Sequence, residues 1–211
     1  SGVVAADTTG VGTARDSLAA TGYGVGLAMF GYGNAGSVSS LTNKVSISGV
    51  VASDTSGVGT ARQFPAAARY GTDKAIFAFG STNKSNLVSN TGVVSADVSG
   101  VGTTKEYLAG AGYGGDKAIM GFGVTSGLTN VTNLINNLGV VGSDVTGVGT
   151  ARNILNAASF GGDKAIFGYG ATSGKVSLTN LVSNSGVVAS DVSGVGTARS
   201  GLVAGEFSTS A

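Results

Sequence analysis

A nonapeptide of the form DxxGVGTAR occurs five times, and it constrains the fold of this chain more than any other feature. The copies are DTTGVGTAR (7–15), DTSGVGTAR (54–62), DVSGVGTTK (97–105), DVTGVGTAR (144–152) and DVSGVGTAR (191–199). Asp7, Asp54, Asp97, Asp144 and Asp191 therefore follow one another at steps of 47, 43, 47 and 47 residues. Self-similarity at such a period marks a repeat architecture, in which one supersecondary unit stacks on copies of itself. The expected organisation is one repeat domain, 1–211, with units at about 2–48, 49–91, 92–138 and 139–185 and a partial unit at 186–211.

The material between the nonapeptides reads as strands. KAIFGYG (164–170) alternates, with Ala165, Phe167 and Tyr169 on one face and Ile166 on the other. VSLTNLVSN alternates through Val176, Leu178 and, with a shift, Leu181, GVVAS follows as a short β-branched run, and Gly, Asn, Ser and Thr clusters separate them. NILNAAS (153–159), rich in small residues, suits a crowded innermost strand. The 43-residue unit lacks four residues in the loop before Asn86, where a deletion costs little. Flanking glycines and the absence of a sustained period of 3.6 oppose a helical reading of NILNAAS.

Four strands per unit of about 47 residues predict a β-propeller of four-stranded blades. The order of elements resembles the kelch repeat. Arg62, Arg152 and Arg199, with Lys105 once, stand where an Arg precedes the innermost kelch strand. Gly31 and Gly33, Gly121 and Gly123, and Gly168 and Gly170 stand where a kelch strand ends in paired glycines. That resemblance implies a ring of blades. The chain supplies four complete inner-to-outer runs (16–54, 63–97, 106–144, 153–191), an outer strand at 2–7 and an inner strand at 200–207. A closed five-bladed ring with a reduced fifth blade is therefore expected. Strands supplied by another subunit or by further chain, and an open stacked array, are the alternatives.

GDKAIFGYG, SLTNLVSN and GVVASDVSGVGTAR are similar to tandem repeats in structural proteins of tailed bacteriophages, marine and cyanobacterial ones especially. That resemblance implies a virion protein such as a tail fibre, decoration or receptor-binding component. Its place would be the extracellular particle and its partners other virion proteins or copies of itself. It brings no catalytic residues.

Composition narrows the chemistry. The chain has no Cys and no His, which excludes thiol nucleophiles, disulfides, Cys/His zinc sites and His-based triads. Charged residues make up 11% and the net charge is +1, without the basic excess of a nucleic-acid binder. No apolar run is long enough for a membrane span, and no signal peptide is visible. The chain opens on Ser1 rather than Met, so a processed chain, a tagged one or a fragment is expected.

The nonapeptide resembles a phosphate loop only in its glycines, since it has no Lys-Ser/Thr pair and no following helix. It reads as a structural turn, with glycines for positive φ and a capping Asp. Its turn residues are Asp7 and Arg15, Asp54 and Arg62, Asp97 and Lys105, Asp144 and Arg152, and Asp191 and Arg199. Each acid and base is expected to pair, within a unit or with the next. Gly-Asp-Lys at 115–117 and 162–164, and Thr-Asp-Lys at 72–74, read as hairpin tips. Tyr32, Phe79, Phe122 and Tyr169 recur at one position. They are read first as packing and second as a ring for stacking on sugars. Residues that break the pattern, such as Lys84, Arg69, Glu106 and Glu206, form no acid–base constellation. No catalytic residue, cofactor or metal site is assigned. The expected function is a non-enzymatic virion structural or host-recognition protein, with a lectin-like glycan-binding module as the alternative.

Overall fold

A computed structural model describes residues 6–206. Twelve short strands make four antiparallel sheets, one per repeat, each in simple meander order. The first sheet is β1 (Ala19–Tyr23), β2 (Leu27–Gly31) and β3 (Thr42–Val45). The second is β4 (Ala66–Tyr70), β5 (Lys74–Ala78) and β6 (Ser85–Val88). The third is β7 (Ala109–Tyr113), β8 (Lys117–Gly121) and β9 (Thr132–Ile135). The fourth is β10 (Asn156–Phe160), β11 (Lys164–Gly168) and β12 (Thr179–Val182). The all-β expectation holds, and the first three strands of each unit lie within the stretches read as strands, although the second ends at Gly168 before Tyr169.

Two expectations are corrected. The blades are not four-stranded, because the segment after the third strand does not form a ladder. It meets β3 only at two bridges, Val45 with Val51 and Thr42 with Thr55, and the other units repeat this. Those partners are three residues apart on β3 and four apart on the outer segment. The extra residue breaks the register, as a bulge does. The Asn43 side chain spans the break, donating to Ala52 O (3.1 Å). Nor do the sheets close into a propeller ring, kelch-like or otherwise. The described residues hold three inter-sheet cores for four sheets, and none joins the fourth sheet to the first. Ser200–Glu206 form no strand. The outer strand expected at 2–7 lies largely outside the described residues, as does Phe207.

The stacking explains the strand chemistry. Ile76 and Phe77 are neighbours on β5 and point to opposite faces, yet both are fully buried. Phe77 packs with Tyr23, Met29 and Tyr32 of the first sheet, and Ile76 with Leu108, Ala118 and Met120 around the third. An interior sheet therefore needs apolar residues on both faces. The small-residue strands β1, β4, β7 and β10 line a shared cavity of about 250 Å³, together with Ala204 and Glu206.

Candidate functional site

The structure brings the two classes of candidate residue together: the nonapeptide cations lie on the recurring aromatics. Arg62 sits 4.0 Å from the ring centre of Tyr32, Lys105 4.4 Å from Phe79, Arg152 4.3 Å from Phe122 and Arg199 4.6 Å from Tyr169. Cation–π attraction strengthens where both partners leave water. Arg62, Lys105 and Arg152 are fully buried, and so are Tyr32, Phe79 and Phe122.

The fourth nonapeptide shows the arrangement in full. Arg152 donates from Nε to Tyr169 O (2.8 Å), from NH1 to Thr150 O (3.1 Å) and from NH2 to Asn180 Oδ1 (2.7 Å). Asn180 in turn donates through Nδ2 to Ala189 O (3.0 Å) and Asp191 Oδ1 (2.9 Å). Asp191 Oδ2 accepts the Thr150 hydroxyl (2.6 Å) and the Thr150 backbone N–H (2.9 Å). The Arg152–Asp191 separation is 3.8 Å. The cation of one nonapeptide thus addresses the Asp of the following copy, and the acid and base within a copy do not pair. Thr13 with Asp54, Thr60 with Asp97 and Thr103 with Asp144 repeat the hydroxyl contact at 2.7, 2.6 and 2.6 Å.

The two glycines of the turn have different physical roles. Gly149 has φ +92, and a Cβ there would fall 2.5 Å from Asp191 Oδ1. Gly147 is not left-handed, but a Cβ would lie 1.7 Å from Asn130 O. The expected positive φ applies to the second glycine, while the first is needed for close backbone approach. Gly147 thus rests on the sheet before the turn, and Gly149 on the acid after it.

The copies differ instructively. In the second, Arg62 NH2 donates to Phe77 O (3.2 Å) and Asn86 Oδ1 has no partner. Here Lys84, from the shortened loop, supplies the cation, with Nζ 3.0 Å from Asp97 Oδ2. In the third, Lys105 Nζ donates to Asn133 Oδ1 and lies 3.5 Å from Asp144. In the first, Arg15 holds Asn43 Oδ1 (2.5 Å) and Asp54 (3.3 Å), with no aromatic beneath it among the described residues. In the last, Arg199 has Tyr169 beneath it and donates to the Tyr169 hydroxyl (3.0 Å). Among the described residues Asp7 accepts no side-chain hydrogen bond.

Asn43, Asn86, Asn133 and Asn180 were missed by the sequence reading as functional members. Each lies eleven residues before its Asp, inside the strings TNK, SNL, TNL and TNL, so a positional signal existed. The aromatics carry a further surprise. Tyr32, Phe79, Phe122 and Tyr169 have φ of 64, 63, 63 and 62, a strained region for a bulky residue. Each is followed by a glycine that is also left-handed. The kink turns the ring onto the neighbouring sheet, and burial of about 150–250 Å² of aromatic surface offsets the strain.

The environment sets the charges. The Thr13 hydroxyl, followed by Asn43 and the Thr13 N–H, draws Asp54 down to about 2. At Asp144 burial works upward, but hydrogen bonds from Thr103 and Asn133 with the Lys105 charge outweigh it, and the group falls to about 2. Asp97 and Asp191 are lowered by the same balance. Burial lowers Lys105, partly offset by Asp144, and raises Tyr32 to about 12. All four carboxylates titrate below their unfolded value of about 3.9, so the unfolded chain binds more protons as the solution is acidified. Their stabilisation is complete above about pH 5 and is lost progressively as pH falls through about 4 towards 2. The melting temperature should hold from pH 7 to about 5 and drop steeply below about 4. A flat profile down to pH 2 would contradict the carboxylate network.

The Gly-Asp-Lys tips are turns, as expected. Lys164 pairs with its neighbour Asp163 at 2.7 Å and Lys117 with Asp116 at 2.9 Å, in solvent. The Asp163 carbonyl accepts the Gly114 N–H of the preceding tip (2.7 Å). Such exposed pairs contribute little. Among the described residues no three acidic side chains converge to hold a metal ion, and no helix is long and apolar enough to cross a membrane. A comparison with protein-family models and with curated sequences found no match to this chain.

Proposed function

We propose that the chain is a non-enzymatic structural or host-recognition component of a virus particle, of the tail-fibre, decoration or receptor-binding kind. One observation carries the reading. In the interior repeats the recurring Asp, Asn and Thr groups, with a cation, fasten one unit to the next. Buried Lys105 and Arg152, with Lys84 in the second copy, hold a network of Asn, Asp and Thr. Such a network gives a rigid scaffold and leaves few groups for acid–base chemistry. The loops at 34–39, 81–85, 124–129 and 171–176 differ most between units, and recognition is usually carried by loops on a rigid frame. The phage-like wording of the repeats supports the same reading. Its partners are copies of the chain or other particle proteins.

Glycan stacking gains no support from the recurring aromatics. Tyr32, Phe79 and Phe122 are buried beneath cations, and only Tyr169 is partly open. Any glycan would have to use the variable loops. Mass spectrometry of purified particles encoding this sequence should recover its peptides in fixed stoichiometry to the other particle proteins. Recovery only from the infected-cell lysate would remove the proposal. A glycan array probed with the chain would bring back the lectin reading if it gave saturable binding.

A further inference from the structure

Lys105 breaks the pattern of its own position. The other nonapeptides carry Arg15, Arg62, Arg152 and Arg199 there. A guanidinium stays protonated in proteins and has no lone pair to offer. A primary amine gives up its proton far more readily when buried, and it is then a nucleophile. The third copy therefore holds a reactive group where the others hold an inert one.

The surroundings of Lys105 supply the two further parts of an amide-forming site. Lys105 is fully buried, and its Nζ donates to Oδ1 of Asn133, itself fully buried on β9. Nζ also lies 3.5 Å from Asp144 Oδ1. The same oxygen accepts from Asn133 Nδ2 at 2.9 Å. One carboxylate oxygen thus faces both the nitrogen that can attack and the nitrogen that can leave. Nδ2 donates to Gly142 O as well (3.0 Å), which fixes the carboxamide. The Thr103 hydroxyl (2.6 Å) and backbone N–H (3.0 Å) hold the other oxygen of Asp144. The Phe79 ring covers Nζ, with its centre at 4.4 Å. Burial favours the neutral amine over the ammonium, and the Asp144 charge offsets this only in part.

We propose that Lys105 and Asn133 become joined by an intramolecular amide crosslink, made by the chain's own groups. The neutral Lys105 Nζ attacks Cγ of Asn133. A Nζ–Cγ bond forms, the Cγ–Nδ2 bond breaks, and Nδ2 leaves as ammonia. Asp144 Oδ1 takes a proton from Nζ as the first bond forms and returns one to Nδ2 as it departs. One primary amine and one primary amide become one secondary amide and one ammonia, with no oxidant or reductant. Hydrogen bonds hold the Asp144 carboxyl down at about 2, so it is a weak proton acceptor and the step is slow. A bond made once in the life of a chain tolerates that, and fixed geometry in a buried site supplies the acceleration.

The neighbouring copies lack the reaction for visible reasons. Arg152 NH2 holds Asn180 Oδ1 at 2.7 Å in the same arrangement, but a guanidinium does not attack. In the second copy Lys84 reaches Asp97, while Asn86 Oδ1 has no partner. The crosslink would tie the segment entering the third sheet to the last strand of that sheet, across 28 residues. Such a closure restricts the unfolded chain, as a disulfide does. It stands whether or not the chain belongs to a particle.

Intact-mass spectrometry of the purified, denatured chain should find it lighter than its sequence by one ammonia. Fragmentation of a proteolytic digest should recover a branched peptide joining Lys105 to Asn133. A succinimide at an asparagine loses the same mass but gives no branched peptide. Lys105→Arg installs the residue of the other copies, so it should fold, as circular dichroism checks, and keep its full mass. A folded wild-type chain still at full mass after prolonged warming overturns the crosslink. So does a mass loss that persists in Lys105→Arg, or one that yields no branched peptide.

Discussion

Arg152→Ala lowers the stability of the chain by about 3–5 kcal/mol, the range for removing one partner from a buried charge network. The reason is the number of groups left behind. Tyr169 O, Thr150 O and Asn180 Oδ1 all lose a donor, and Asp191 loses its nearest cation. The face of Phe122 loses its covering guanidinium as well. For a chain of this size the melting temperature should fall by roughly 10 °C. The internal control is Arg199→Ala. It removes the same letter of the same motif, but its hydrogen bond to the Tyr169 hydroxyl is exposed. That variant should stay within about 0.5 kcal/mol of wild type, as surface changes do. Equal losses in the two variants would show that the network contributes nothing beyond the turn.

Phe77→Ala is the second large effect, at about 3–5 kcal/mol. Phe77 is fully buried, packs edge-on to Tyr32 and fills the space above Gly31, where a Cβ would fall 2.9 Å from its Cζ. Truncation leaves a cavity between the first two sheets, and the positive-φ backbone at Tyr32 leaves that ring little freedom to collapse into it. Phe30 holds the same place in the first repeat, and Phe30→Ala should cost no more than about 1 kcal/mol. Urea unfolding of both variants measures the difference through the midpoint at unchanged slope. Similar midpoints would mean that the sheets do not depend on this interface.

Particular residues show how far the sequence could be read. The alternation in KAIFGYG places a strand on it, and β5, β8 and β11 lie there. The once-per-repeat acid and base suggest a pair within a unit or with the next, and Arg152 addresses the following Asp191. The fourth strand failed for a reason that propensity does not encode. GVVAS is a good β sequence, but its two bridges are separated by one residue more than their partners on the third strand. Of the recurring aromatics, Tyr32, Phe79 and Phe122 are buried and Tyr169 is partly open. Their cation partners could not be foreseen, because Arg62 and Tyr32 are thirty residues apart and meet only when two sheets stack.

By itself, the sequence determined the repeat, its short strands and the residue types at each turn. These follow from local backbone preferences and from a period that any copy obeys. Tertiary structure decided which acid meets which base, which glycine answers to φ and which to a neighbouring carbonyl, and that four sheets share three cores. Those outcomes depend on how sheets stack, a relation between units that no single unit specifies. The nonapeptide is thus a clasp straddling two sheets.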